Sequence, residues 1–411
     1  MIGLTSGELE EILATVTGQD METPGEVLYV ARTDQPSFVA TLLSAWERDG
    51  RELGPGLAHD LAQYRGRVAF YRDLHARIGA TFGNPVTFKG LEVAARYPEP
   101  LVRTMNDLDY WIPEQDRVWS MVSWLVEDGW GVHSATFLKF EGRLEFMVSM
   151  RRLPDDPYGL PYTVELSTLA MLGDRVGIPA RRTLPPPCEE PVAKNLVALL
   201  LERFEQPFRA RDLVDAALQL TGAPKNVLNA CALAVHEVGL WPEYAELASL
   251  LEAASLDVPP LPGDLRALTR IGRARRRVTA ARGLRRPIDL ALLELQNRMM
   301  AGRSGALGRR AWQLTERKVD SRTALEAGLV LFALPVAGDH YAETATLRER
   351  GGTLWADTPV GGFVLVHGDE IDEAALEGAE ATGGLDAKDS GIGDDDFEAA
   401  AGEDAAKGED T

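Results

Sequence analysis

Only two cysteines, Cys188 and Cys231, occur in 411 residues. They stand far apart and match no metal-ligand spacing. This excludes a disulfide scaffold and points to a reducing compartment. The six histidines are scattered and assemble no zinc motif. Uninterrupted apolar runs of about 18 residues, the length a bilayer-spanning helix needs, are missing. Residues 1–11 also lack the basic and then apolar pattern of a secretory leader. The expectation from these absences is a cytoplasmic protein with no membrane partner.

What is present fits a globular chain, with 45% hydrophobic and 26% charged residues. At this length two or more domains with cores of their own are expected. The formal net charge of −20 is uneven. Residues 369–411 hold 16 acidic residues and two lysines, a net of −14, which leaves −6 for the other 368. The acidity therefore says nothing about a basic substrate. It marks 369–411 as a disordered acidic tail, since Asp/Glu/Ala/Gly composition cannot bury a core.

Residues 86–112 concentrate the chemistry. The apolar run Val86–Phe88 stops at Lys89-Gly90 and gives way to a helical pattern through Tyr97. A turn with Pro98 and Pro100 follows, then Arg103, then Asp107-Leu108-Asp109 entering the β-prone run Tyr110–Ile112. On a strand Asp107 and Asp109 share a face with Cα atoms about 6.6 Å apart. Two carboxylates so placed can converge on a hard divalent cation, or on a pair of them bridging triphosphate oxygens. Gly90 permits close backbone approach to a phosphate, and the N–H groups of a helix start favour anions. Lys89 and Arg103 could add positive charge where phosphate charge develops. Each piece alone is a weak signal; a lone Asp-x-Asp is ordinarily a solvated strand edge. Their conjunction carries the inference.

Residues 88–113 resemble the core of an uncharacterised nucleotidyltransferase family met in bacterial biosynthetic gene clusters, within the polymerase-β-type nucleotidyltransferase superfamily. The elements that carry the resemblance are Phe88-Lys89-Gly90, Tyr97-Pro98, Arg103-Thr104-Met105-Asn106-Asp107-Leu108-Asp109 and the strand to Ile112. Pro113, a helix over 114–126 and Gly129-Trp130 continue the pattern. The resemblance covers roughly residues 60–220. It implies a Mg²⁺-dependent transfer of a nucleoside monophosphate from an NTP, ATP being the first candidate, to a small-molecule or peptide acceptor. It assigns the metal pair to Asp107 and Asp109, and the triphosphate to Lys89, Gly90 and Arg103. A third carboxylate on a later strand is also implied. Glu165 is preferred, in a stretch where Ser167 stands in place of the usual His; Glu145 is the rival. Arg211, Asp212 and Asp215 resemble a family helix that borders the cleft, although a solvated helix face is an equal reading.

The fold class implied is α+β: a minimal nucleotidyltransferase mixed sheet with flanking helices, a helical C-terminal half and a small β-rich appendage. Residues 1–80 read as an N-terminal helical region, with a helix from Ser6, a strand at Val27–Val30, a helix Ser37–Arg48 capped by Ser37, and an amphipathic helix over 58–80. The core is 81–185, with strands at 86–88, 107–112, 132–140, 143–151 and 162–169. Residues 186–318 read as a helical domain and 319–368 as the appendage. Trp111, Trp119, Trp124 and Trp130 read as an aromatic core cluster. Eight arginines in 269–286 form a basic run without interleaved aromatics. It could bind nucleic acid, but a solvated helix or loop, open to pairing with the acidic tail, is the stronger reading. The alternative to catalysis is a nucleotide-sensing or scaffold protein of the same fold. Acceptor and oligomeric state are not legible.

Overall fold

The computed structural model of the protein describes residues 4–154, 156, 159–282, 287–302, 305–316, 318–336, 341–350 and 353–368. The acidic tail and the 283–286 end of the arginine run lie outside the described residues. Those described form a mixed α+β fold.

Four helices lead in: α1 (Ser6–Thr17), α2 (Pro24–Asp34), α3 (Val39–Arg48) and α4 (Pro55–Phe82). The strand expected at Val27–Val30 is part of α2. A short apolar run cannot by itself be told from a buried helix face. The residues just before it decide: Thr23 and Glu26 form a reciprocal capping box, and Pro24 occupies the first turn. Ser37 is not a cap; it is buried in a 3₁₀ turn, Pro36–Phe38, ahead of α3. In α4 the apolar stripe Leu61, Val68, Tyr71, Leu74, Ile78 is buried, as its spacing requires.

Next come β1 (Val86–Thr87), α5 (Gly90–Ala94), β2 (Asp107–Trp111), α6 (Gln115–Glu127), β3 (Gly131–Phe140), β4 (Arg143–Arg152) and β5 (Tyr162–Ser167). Helix α5 stops short of the expected Tyr97, since a residue before proline is pushed out of the helical region. The helical half follows as α7 (Pro191–Glu202), α8 (Ala210–Leu220), α9 (Lys225–Val238), α10 (Trp241–Ala253), α11 (Leu265–Arg282), α12 (Pro287–Met300), α13 (Ala306–Glu316) and α14 (Ser321–Glu326). The chain then adds β6 (Leu331–Val336), β7 (Thr346–Arg350), β8 (Thr353–Thr358) and β9 (Gly361–Val366).

The nine strands among the described residues belong to one sheet in the order β1-β2-β5-β4-β3-β6-β9-β8-β7. Strands β2 and β5 run parallel, and the other paired strands are antiparallel. The region expected to be a β appendage extends the central sheet, because β6 pairs with β3 through Ala135↔Ala333 and Phe137↔Leu331. That pairing satisfies a backbone edge that β3 would otherwise leave open. The four tryptophans all lie in or against the main hydrophobic core, as expected, and three of them pair with other rings. Trp119 stacks on Phe146 at 4.7 Å, Trp124 meets Phe82 at 5.8 Å, and Trp130 lies 6.2 Å from Phe70. No helix among the described residues is long and apolar enough to cross a membrane.

Candidate active site

Alternation on two paired strands builds the site. Leu108 and Tyr110 of β2, and Val164 and Leu166 of β5, are buried on one face. Asp107, Asp109, Thr163, Glu165 and Ser167 therefore share the other. The register sets Asp109 opposite Glu165 and Asp107 opposite Thr163, on strands about 4.8 Å apart. Ser149 of β4 continues the row beyond Glu165.

That register is clamped from α4. The Tyr71 hydroxyl donates to the Asn106 carbonyl at 2.5 Å and accepts the Thr163 N–H at 2.9 Å. Arg67, one turn earlier, donates to the carbonyls of Met105, Asn106, Leu160 and Pro161. The entries to β2 and β5 are thus tied to one helix, and a slip that would rotate the carboxylates to the apolar face is opposed. Sequence reasoning missed Arg67. It stands four residues before Tyr71, on the same side of a helix whose buried stripe was legible.

The carboxylate face opens into a cavity of about 450 Å³. Asp109, Glu165, Ser167 and Met147 line its floor, α7 supplies Ala198, Leu201 and Glu202, and α12 supplies Asn297 and Arg298. Burial, reinforced by the neighbouring charges of Asp107 and Glu205, pushes the Glu165 carboxyl up to about 7. Burial likewise holds Asp109 well above the ordinary carboxylate range; Asp107 and Glu165 add to the rise, and Lys89 opposes it. The Oδ1 atom of Asp109 is buried without a hydrogen-bond partner. The site therefore gathers carboxylates in excess of the one lysine that acts on them.

Lys89 is the nearest cation, and it is held. Its backbone is strained at φ 51° and ψ −114°, outside the usual region for a side-chain-bearing residue. The Asn195 Oδ1 accepts its N–H at 2.8 Å. Its ammonium group, held below the ordinary lysine value by burial, pairs with Glu202. Asn195 also donates to Glu92, as does Lys194, which couples α7 to α5. Asn195 and Glu202 carried no local signal in the sequence, because both contacts span more than 100 residues.

Three expectations change. Arg103 does not line the cavity; it is 4% exposed and grips Asp215 of α8 through Nε and Nη2 at 2.7–3.0 Å. Asp215 also accepts the Tyr97 hydroxyl at 2.7 Å. Asp212 caps α8 through the Arg209 N–H, so Asp212 and Asp215 are structural rather than cleft residues. Gly90 adopts φ 41°, as its type allows, but α5 is only five residues long and offers no extended helix terminus to an anion. Glu145 is 1% exposed, accepts Arg182 Nε at 2.6 Å and does not line the cavity, whereas Glu165 does.

The donor set of Asp107, Asp109 and Glu165 fits a hard divalent cation in its chemistry: carboxylate oxygens only, with one atom orphaned. As the side chains stand, no group of three or more His, Cys, Asp or Glu among the described residues closes on a single point to hold one. Compared with protein-family models, with curated proteins and with solved structures, the chain finds no match in any of the three.

Proposed function

We propose that this chain is a Mg²⁺-dependent nucleotidyltransferase that moves a nucleoside monophosphate from an NTP to a small-molecule or peptide acceptor. One observation carries the reading: parallel pairing of β2 with β5 puts Asp109 beside Glu165 on the floor of a cavity, with Asp107 two residues along the same strand face. Buried like charges without counter-ions raise each other's proton affinity, and a divalent cation relieves the same repulsion. The alternation of short strands and helices from β1 to β5 supports the reading, and the resemblance over residues 88–113 points the same way.

Asp107, Asp109 and Glu165 would hold Mg²⁺, which when bound supplies charge neutralisation at the phosphates. Glu165, poised near neutrality, can also take the acceptor hydroxyl's proton. Lys89, on the strained turn, faces Asp109 and Glu202 and can exchange the Glu202 contact for a triphosphate oxygen. Arg103 works at a distance: its pair with Asp215 fixes the loop that delivers β2. Helices α7 and α12 wall the cavity above the carboxylates. ATP is the first donor to try. The free, buried thiols of Cys188 and Cys231 suit a reducing cytoplasm, where NTPs are abundant.

The expected outcome is transfer of a labelled α-phosphate to an acceptor in an extract or metabolite panel, with pyrophosphate release. The separate substitutions Asp107→Ala and Asp109→Ala should each abolish it; intact transfer in either would remove the assignment. A second reading, a nucleotide sensor or scaffold of the same fold, is favoured by the Lys89–Glu202 pair, which occupies the one lysine of the cavity wall. Nucleotide binding without pyrophosphate release would select it.

A further inference from the structure

The outer face of α11 carries charge that nothing in the described fold answers. Arg266, Arg270, Arg273 and Arg277 recur at spacings of four, three and four, which places them on one stripe of the helix, and all four are exposed. Among the described residues their guanidinium groups have no acidic or carbonyl partner. The inner face of the same helix behaves differently. Arg276 pairs with Glu243 and donates to the Gly239 carbonyl, Arg275 donates to the His236 carbonyl at 2.9 Å, and Gly272 lies against Pro242 and Trp241. Like charges at these helical spacings repel one another, so an unanswered stripe of four works against the helix that bears it.

We propose that the acidic stretch 369–411 of the same chain docks on this arginine stripe and screens it from other polyanions. Charge complementarity carries the proposal: 16 acidic residues against two lysines, with Asp394, Asp395 and Asp396 consecutive. Position supports it. The described chain ends at Gly368, one residue past His367, whose ring lies 6.2 Å from Trp312 of α13. Forty-three residues follow Gly368, and a chain of about 40 residues with random-coil dimensions spans about 35 Å root-mean-square. That exceeds the radius of gyration of about 20 Å expected for a compact chain of this size. Tethering holds the anionic segment at an effective concentration of order millimolar, ahead of a competing polyanion in solution. The stretch offers few apolar residues, so the contact is electrostatic and depends on salt. This inference is independent of the reading of the cavity.

The test uses the full chain with nitroxide labels at Ser390→Cys and Ala274→Cys. Cys188 and Cys231 do not interfere, since both are buried and burial pushes each thiol up to about 12. At about 0.1 M salt, where the screening length is about 10 Å, a narrow short-distance population is expected; at about 1 M it should give way to a broad one. Changing Arg266, Arg270, Arg273 and Arg277 together to Gln should give the broad distribution at both salts while circular dichroism stays unchanged. An identical distribution at both salts, or in the variant, overturns the proposal. So does an equally deep dipolar signal from mixed, singly labelled chains, which would put the stretch on a neighbouring copy. Replacing the 16 acidic residues by Asn or Gln should tighten binding of a fluorescent oligonucleotide at low salt by about tenfold or more. Unchanged affinity would show that nothing screens the stripe, and would overturn it too.

Discussion

Two sets of buried charges lie within one core and are treated in opposite ways. Arg103 and Asp215 are both buried and oppose each other through three short contacts, with Tyr97 completing the carboxylate's shell. Burial works against the charge on each, yet the partner outweighs it: Arg103 is raised and Asp215 lowered, so both stay ionised. Asp109 and Glu165 are also largely buried, but their neighbours are carboxylates and both are raised. A fold that hydrogen-bonds one buried pair completely and leaves the other short of counter-charge distinguishes a strut from a binding site. The first set holds the loop before β2 in place; the second has the excess of carboxylates on which the proposed cation site rests.

Substitutions should separate the two. Arg103→Ala leaves a buried, unpaired Asp215 and should cost about 3–5 kcal/mol in denaturant unfolding. A loss under about 1 kcal/mol would make the pair dispensable and blur the comparison. Tyr71→Phe removes the acceptor of the Thr163 N–H and should cost about 1–3 kcal/mol. It should also weaken the site's response to Mg²⁺, because the register of β2 and β5 loosens. Asp109→Asn should act with the opposite sign on the metal-free protein. It relieves like-charge repulsion and should raise the melting temperature of the metal-free protein.

The acidity of the site fixes a pH dependence as well. Glu165 and Asp109 bind protons more tightly folded than unfolded, so stability supplied by their protonated forms is present at low pH. It is lost as pH rises from the unfolded carboxyl value near 4.5 through the folded Glu165 value of about 7. The melting temperature of the metal-free protein should therefore fall between pH 5 and pH 8 relative to an Asp109→Asn/Glu165→Gln variant, and Mg²⁺ should reverse that fall. The smallest effect belongs to an exposed pair. Arg32→Ala, which breaks the contact to Asp60, should change stability by about 0.5 kcal/mol or less.

Much of this was legible because it is local. The i, i+2 period makes Asp107 and Asp109 share a face whatever the fold, and Val164 and Leu166 flanking Glu165 put it on the polar side of β5. The stripe on α4 follows from helical spacing alone, whereas the basic run at 269–286 was legible only as a run and becomes a stripe once α11 is known. What could not be read depends on distant partners. Arg103 carries the same charge whether it meets a phosphate or Asp215, 112 residues away; only the packing of α8 decides. Glu145 and Glu165 look alike on alternating strands until Arg182 pairs with the former. The extension of the sheet through β6 needs a partner nearly 200 residues earlier, a pairing with no local sequence signature. The strand misread at Val27–Val30 is a different failure. Thr23 and Glu26 announced a capping box, and the β-branched valines masked it.

The central claim is that Asp107, Asp109 and Glu165 form a metal-dependent nucleotide site. The most direct test is thermal unfolding with ATP, GTP, CTP and UTP, each with and without Mg²⁺, on the wild type and on an Asp107→Asn/Asp109→Asn variant. A ligand that binds only the folded state raises the melting temperature as its concentration exceeds its dissociation constant. The account predicts a Mg²⁺-dependent rise with at least one NTP that the variant loses. No rise with any nucleotide, or an equal rise in the variant, would contradict it.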